Sequence, residues 1–308
     1  MGHGSWVINH RGHAEGLHQR LSGSRFYPPQ RHRLRLKTQD SRPTLNHEIH
    51  TWHSPVLGRE MTLQVIGHAG ARVLAFPTSM GTHSEWPDRR MHQVLQDHID
   101  QGWIQLFCLD QPHHENWGNE AVHAGHRAWV HLQYYSYVRD EVLPFTASRN
   151  NNAYVITTGA SLGATHAAAF GLRYPESVNR ILGMSGLYDL KRLIGGYSDA
   201  NLYRCNPMDF MRHEHDPLRL DAFRRQDIIF AIGEGDPVCD NNREFSALLW
   251  GKGIGNALRI WDGHAHDWPH WVVTSRAPLT VSLPCGSRAQ ALFRGRGLAQ
   301  PPARAEYK

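Results

Sequence analysis

Near the start of the patterned part of the chain, two stretches of strand-like residues, 47–53 and 60–66, read as strands joined by a turn around Pro55 and Gly58. Short apolar runs come next at 72–76, 103–109, 153–157, 179–184, 227–232 and 257–261, each with the length of a buried strand. Several lead through a polar loop into a helical stretch: 85–100, 120–145, the Ala-rich 162–173, and 242–251. Strands alternating with helices predict an α/β fold, a mostly parallel central sheet with helices on both faces. The opening pair predicts an antiparallel N-terminal edge. A longer polar segment, 197–217, is a candidate cap or substrate-side insertion. No internal repeat is visible, and no linker splits the body.

The pattern fails at both ends. Residues 1–45 are rich in His, Arg, Gly and Pro, and 276–308 in Pro, Arg and Gly. Both read as basic, poorly ordered extensions flanking a folded body, 46–275. Charge sharpens this division. The chain carries a formal +5, but 8 basic and 2 acidic residues fall in 1–45, and 6 and 1 in 276–308. The body keeps 19 basic and 25 acidic residues, so it is mildly acidic. A body of that sign is not expected to bind nucleic acid; only the ends have the charge for it.

Composition excludes other classes. At 308 residues and 40% apolar, the chain can bury one sizeable core. Cys108, Cys205, Cys239 and Cys285 are irregularly spaced and form no CxxC pair, which excludes a readable disulfide framework or zinc finger. A reducing, cytoplasmic setting is expected. No stretch approaches the roughly 18 apolar residues of a membrane helix, and Gly, His and Arg interrupt the first 25 residues. Neither a membrane association nor an export signal is expected, and oligomeric state is unreadable.

Candidate chemistry begins at Gly159-Ala160-Ser161-Leu162-Gly163, a G-x-S-x-G pattern after Tyr154-Val155-Ile156-Thr157 and before the Ala-rich helix. This is the strand–turn–helix setting of a nucleophile elbow. Side chains at 159 and 163 would collide with neighbouring backbone in so tight a turn, and the helix-end amides favour negative charge beside Ser161. An N-cap serine between flexible glycines would look the same over five residues. The residues C-terminal to the elbow weigh against that. A serine hydroxyl needs a base, and the base an orienting acid, in chain order Ser, Asp or Glu, His. Asp236 stands in Gly233-Glu234-Gly235-Asp236-Pro237, just after one strand; His266 stands in His264-Ala265-His266-Asp267-Trp268, just after the last. Both fall at carboxyl ends of strands, the edge that carries Ser161.

Competitors remain open. Glu234 and Asp240 share the acid loop, and Asp267 adjoins the histidine; Asp236 is preferred for its position after the Gly-x-Gly exit. His264 competes with His266 and forms an H-x-H pair with it. Among 23 histidines such a pair is expected by chance, and no acidic or cysteine partner has zinc-site spacing, so no metal is expected. The oxyanion hole should use the N–H of Leu162 and one from Pro77-Thr78-Ser79-Met80-Gly81, with Met80 first and Ser79 next. Residues 110–118 mix acid, His and Trp at another strand exit, as a substrate-side or a solvated loop would.

These residues resemble the esterase D type of α/β hydrolase, the group that includes feruloyl esterases, formylglutathione hydrolases and mycolyltransferases. The resemblance covers about 47–271. It rests on Phe76-Pro77-Thr78-Ser79-Met80-Gly81 with Glu85-Trp86, on Thr158 to Ala164 around the serine, on Gly183-Met184-Ser185-Gly186, on Gly233 to Asp236, and on His266-Asp267-Trp268 with Trp271. It implies a nucleophile at Ser161, an acid at Asp236, a base at His266, an oxyanion amide at Met80, and hydrolysis of a small-molecule ester without a cofactor. The first 45 residues have no counterpart in the pattern, and the chain leaves it after about Val273. An acyltransferase at the same site, or a non-catalytic binding module on the same fold, are the alternatives.

Overall fold

The computed structural model describes residues 46–115, 117, 119–263 and 266–275. Along the chain run β1 (His47–Ser54), β2 (Arg59–Ile66), β3 (Ala71–Phe76), α1 (Glu85–Asp88), α2 (Met91–Val94), α3 (Gln96–Asp100), β4 (Ile104–Leu109), α4 (Ala124–Tyr137) and α5 (Leu143–Arg149). Then come β5 (Val155–Ala160), α6 (Leu162–Arg173), β6 (Arg180–Met184), α7 (Ala200–Cys205), α8 (Pro207–Arg212), α9 (Pro217–Arg224), β7 (Asp227–Gly233), α10 (Cys239–Gly251), β8 (Ala257–Trp261) and α11 (Trp268–Ser275).

Among the described residues the strands form one sheet in the order β1-β2-β4-β3-β5-β6-β7-β8. The pairs β1–β2 and β2–β4 are antiparallel, and every later pair is parallel. This is the α/β-hydrolase arrangement, with the antiparallel edge at the N-terminal side. Alternate side chains of each strand serve opposite faces. Leu74 and Phe76 of β3, with Phe107 and Leu109 of β4, join one core with Tyr134, Phe170, Tyr188 and Phe230. Val73, Ala75, Ile104, Leu106 and Cys108 join the other with Trp86, Met91 and Trp271. Each fully buried side chain of this kind contributes about 1.5–3 kcal/mol relative to exposure. No helix among the described residues is long and apolar enough to cross a membrane.

Two of the expected helices are interrupted in the structure. The single helix expected over 85–100 is three short ones, broken at Arg90 in the left-handed conformation, φ 59°. Trp86, Met91, Leu95 and Ile99 are all buried. Trp86 and Met91 are five residues, about 1.4 turns, apart, so an unbroken helix could not face both to the core. The expected helix over 120–145 starts at Ala124, where the His123 ring accepts the Gly125 N–H at 3.2 Å. A π-helical turn, Val138–Val142, interrupts it before α5. Pro144 lies in that next turn and lacks an N–H, and the widened turn absorbs the missing bond.

The segment 197–217 holds α7 and α8, whose Leu202, Cys205, Met208 and Met211 belong to the larger core. Each helix supplies one apolar pair three residues apart, which the polar residues between them conceal. Cys108, Cys205 and Cys239 are buried free thiols. The basic ends, 1–45 and 276–308, lie outside the described residues.

Candidate active site

β5 continues past residue 157 to Ala160, three residues beyond the expected end. Backbone pairing holds it there, with Phe76 opposite Gly159 on one side and Met184 opposite Ala160 on the other. Ser161 comes next at φ 52°, ψ −123°, and its N–H is tied to the Met184 carbonyl at 2.8 Å. A non-glycine residue in this region is strained and persists only where its surroundings fix it. The glycines explain how. A Cβ on Gly159 would lie 2.3 Å from the Gly163 carbonyl carbon, and one on Gly163 would lie 2.4 Å from the Phe76 oxygen. Their absence lets the strand, the turn and the first turn of α6 close on one another and on the exit of β3.

Ser161 Oγ lies 3.1 Å from His266 Nε2. The other ring nitrogen, Nδ1, lies 2.9 Å from Asp236 Oδ2 and 3.1 Å from Oδ1. Asp236 comes from the loop after β7 and His266 from the loop after β8. Backbone bonds tie the two loops: Glu234 N–H to Trp261 O at 2.7 Å, and Gly235 N–H to Gly263 O at 2.9 Å. The Asp236 side chain is buried, while 31% of the His266 side chain is exposed. Burial alone would raise the Asp236 carboxyl. Bonds from the His266 ring, the Val238 N–H (3.0 Å) and the Ser185 hydroxyl outweigh it and hold the carboxyl below its usual range.

Of the competing acids, Glu234 and Asp240 are exposed, and Asp267 is exposed and pairs with His270 at 2.5 Å. His264 lies outside the described residues. Both ring nitrogens of His266 face side-chain partners, Ser161 Oγ at Nε2 and the Asp236 carboxylate at Nδ1. Among the described residues no cluster of His, Cys, Asp and Glu could hold a metal.

The loop after β3 abuts the elbow through Gly163. Glu85 accepts both the N–H and the hydroxyl of Thr78, at 2.7 and 2.6 Å. From the other side Gln111, 3% exposed, donates its amide to the Thr78 carbonyl and to Gly81 O at 3.0 Å. The loop is thus braced at both ends of its turn. Between them Met80 is 67% exposed, and no acceptor among the described residues takes its N–H or that of Leu162.

Gln111 and Ser185 were not legible as site residues. Gln111 belongs to 110–118, and that stretch proves anchored: Glu115 holds Arg59 and His126 at 2.6 and 2.9 Å, and Trp117 is buried. Asn116 and Gly118 lie outside the described residues. Ser185 had a weak signal, a serine flanked by glycines at a strand exit, in Gly183-Met184-Ser185-Gly186.

The family model that matches the chain, described as "Putative esterase", spans residues 76–290. It therefore opens at the end of β3 and runs past residue 275. No curated protein sequence matches. Among solved structures, a ferulic acid esterase superposes with a TM-score of 0.63 at 19% identity, over 76% of this chain and 96% of that one. An S-formylglutathione hydrolase from Agrobacterium tumefaciens gives 0.59 at 16% identity, over 76% and 95%. A fluorophosphonate-binding serine hydrolase from Staphylococcus aureus gives 0.57 at 15%, over 77% and 97%. At these identities the likeness establishes the fold.

Proposed function

Given that this chain belongs to the esterase family, carboxylic ester hydrolases of the α/β-hydrolase fold, we propose that it cleaves small-molecule esters through an acyl-enzyme on Ser161. His266 acts as base and Asp236 as its orienting acid. The observation that carries this reading is the unbroken hydrogen-bonded chain from Ser161 Oγ through His266 to the buried Asp236 carboxylate.

In the first step His266 Nε2 takes the Ser161 proton as Oγ attacks the ester carbonyl. The carbonyl oxygen gains negative charge and is held by the N–H groups of Leu162 and Met80, where fixed donors act without reorganising. His266 passes its proton to the departing alkoxide, and the alcohol leaves. Water then repeats the sequence against the acyl-enzyme, with His266 as base, and releases the acid. Asp236 keeps the proton on Nδ1, so that Nε2 faces the serine with its lone pair.

We assign this chemistry to the body, 46–275. The test is labelling with a fluorophosphonate, mapping of the modified peptide, and turnover of p-nitrophenyl esters of increasing chain length. Labelling at Ser161, loss of label in Ser161→Ala, and activity that survives EDTA are expected. Label on another serine, or activity restored only by added zinc, would overturn the reading.

A further inference from the structure

Among the described residues three that are not glycine have positive φ: Arg90, Ser161 and Ser185. Two of the three belong to the site. Ser185 lies just past β6, the strand beside the elbow strand, with φ 53° and its N–H on the Ala231 carbonyl at 2.8 Å. Glycine would adopt this backbone without strain. A serine there adds only a Cβ and a hydroxyl, so the hydroxyl is the part with a reason to be present.

That hydroxyl is buried, since Ser185 is 1% exposed. It donates to the Asp236 carboxylate and accepts the indole N–H of Trp271 at 3.1 Å. Trp271 lies on α11, is 5% exposed, and presents its ring edge-on to His266 with centroids 5.4 Å apart. The chain that begins at Ser161 therefore continues beyond Asp236 to Ser185 and Trp271. With donors from His266, Val238 and Ser185, the Asp236 carboxylate cannot turn about its own bond without breaking one.

We propose that Ser185, oriented by Trp271, is a positioning residue that fixes the Asp236 carboxylate against His266. This rests on the assignment of Ser161, His266 and Asp236 as nucleophile, base and acid. Two effects are expected from removing the hydroxyl. The carboxylate becomes freer to rotate, which slows the steps that depend on His266. It also loses a donor that shares its negative charge, so it holds the protonated imidazole more tightly. The acid limb of the kcat/KM profile then moves to higher pH. The groups that face His266 are Asp236 from the β7 loop and Ser161 from the elbow; Asp267 and His270, on its own segment, are exposed and pair with each other.

The experiment uses the full chain, a p-nitrophenyl ester, and fluorophosphonate titration to count folded sites. Ser185→Ala is expected to lower kcat about 10-fold with KM nearly unchanged, and to shift the acid limb upward. Trp271→Phe should act in the same direction and more weakly. The double variant should resemble Ser185→Ala alone, because Trp271 acts through Ser185. Ser185→Gly removes the hydroxyl while relieving the backbone, so it tests the idea even where the alanine variant folds poorly; it should be as slow as Ser185→Ala. A wild-type kcat and pH profile in folded Ser185→Gly would overturn the proposal. So would a rate loss fully accounted for by a lower count of folded sites. Ser161→Ala is the separate control: if it kept activity, the underlying assignment would fail whatever Ser185 does.

Discussion

His266 and His166 both stand near Ser161, yet their surroundings make them different chemical objects. His266 is partly exposed, with a carboxylate at Nδ1 and the Ser161 hydroxyl at Nε2. His166, five residues after Ser161 on α6, is completely buried and bonds the Tyr135 hydroxyl at 3.0 Å. Its ring stacks on His131, 5.0 Å away and 12° from parallel, and His131 stacks in turn on Trp117 at 4.5 Å. His131 donates from Nδ1 to the Arg127 carbonyl at 2.7 Å. No carboxylate bonds either ring among the described residues. Burial, above all, pushes His131 down to about 4, and burial with the neighbouring His131 pushes His166 well below its ordinary value. Closeness to the serine does not make a histidine a base. A carboxylate that stabilises the imidazolium, and an opening to substrate, do. The inner pair serves as flat, neutral packing.

The sharpest way to break this contrast is substitution. Ser161→Ala and His266→Ala should each lower kcat by about 10^6, and the double variant should be scarcely worse, because the groups act as a unit. Asp236→Asn should cost about 10^4, since the base remains but loses its orienting charge. Folded His166→Asn should stay within a few-fold of wild type. Measured by kcat/KM on one ester, with circular dichroism as the check on folding, a crippled but folded His166→Asn would dissolve the distinction.

A smaller effect is expected at the loop that presents Met80. Gln111→Leu and Glu85→Gln each release one side of that loop, and kcat should fall about 10- to 100-fold with KM little changed, less than for losing a donor outright. Unchanged kcat in both would show that the loop holds its shape without them.

The inner pair should announce itself in stability. In the unfolded chain these imidazoles take up protons near pH 6.5, whereas folded His131 stays neutral down to about 4. Between those values the unfolded state binds more protons, so stability is fully present above about pH 6.5 and is lost as pH falls. The loss reaches about 3 kcal/mol for His131 alone. Urea unfolding at pH 7 and pH 4.5 should therefore show a smaller difference in His131→Asn than in wild type. An equal difference would place the acid sensitivity elsewhere.

The least effect is expected from deleting residues 1–45, which lack periodic apolar positions. Deletion should leave kcat within about two-fold and Tm within a few degrees. A large drop in Tm would show that the extension packs on the body.

Much of the fold was legible because it is local. The β-rich runs gave the strands, α6 and β8 fell on the expected residues, and Gly159 and Gly163 marked the elbow. Helix ends were less legible. The break at Arg90 answers to the phase in which Trp86 and Met91 meet the sheet, and the π-helical turn to Pro144. Neither demand is written in the spacing of apolar residues alone.

By itself, then, the sequence determined a parallel sheet with an antiparallel edge, a serine elbow, and an acid and a histidine in the order this chemistry uses. Each of those is encoded by neighbours in the chain: turn glycines, strand runs, the exit of each strand. Tertiary structure decided which acid meets His266: Asp236 is buried against the ring, whereas Glu234 in the same loop and Asp240 in the first turn of α10 face solvent. It alone brought Gln111 to the Thr78 loop and Ser185 to Asp236, contacts between residues 33 and 51 positions apart. Such contacts depend on the order in which strands lie side by side. Sequence periodicity reports which face of a strand is buried, and is silent on which strand lies next to it.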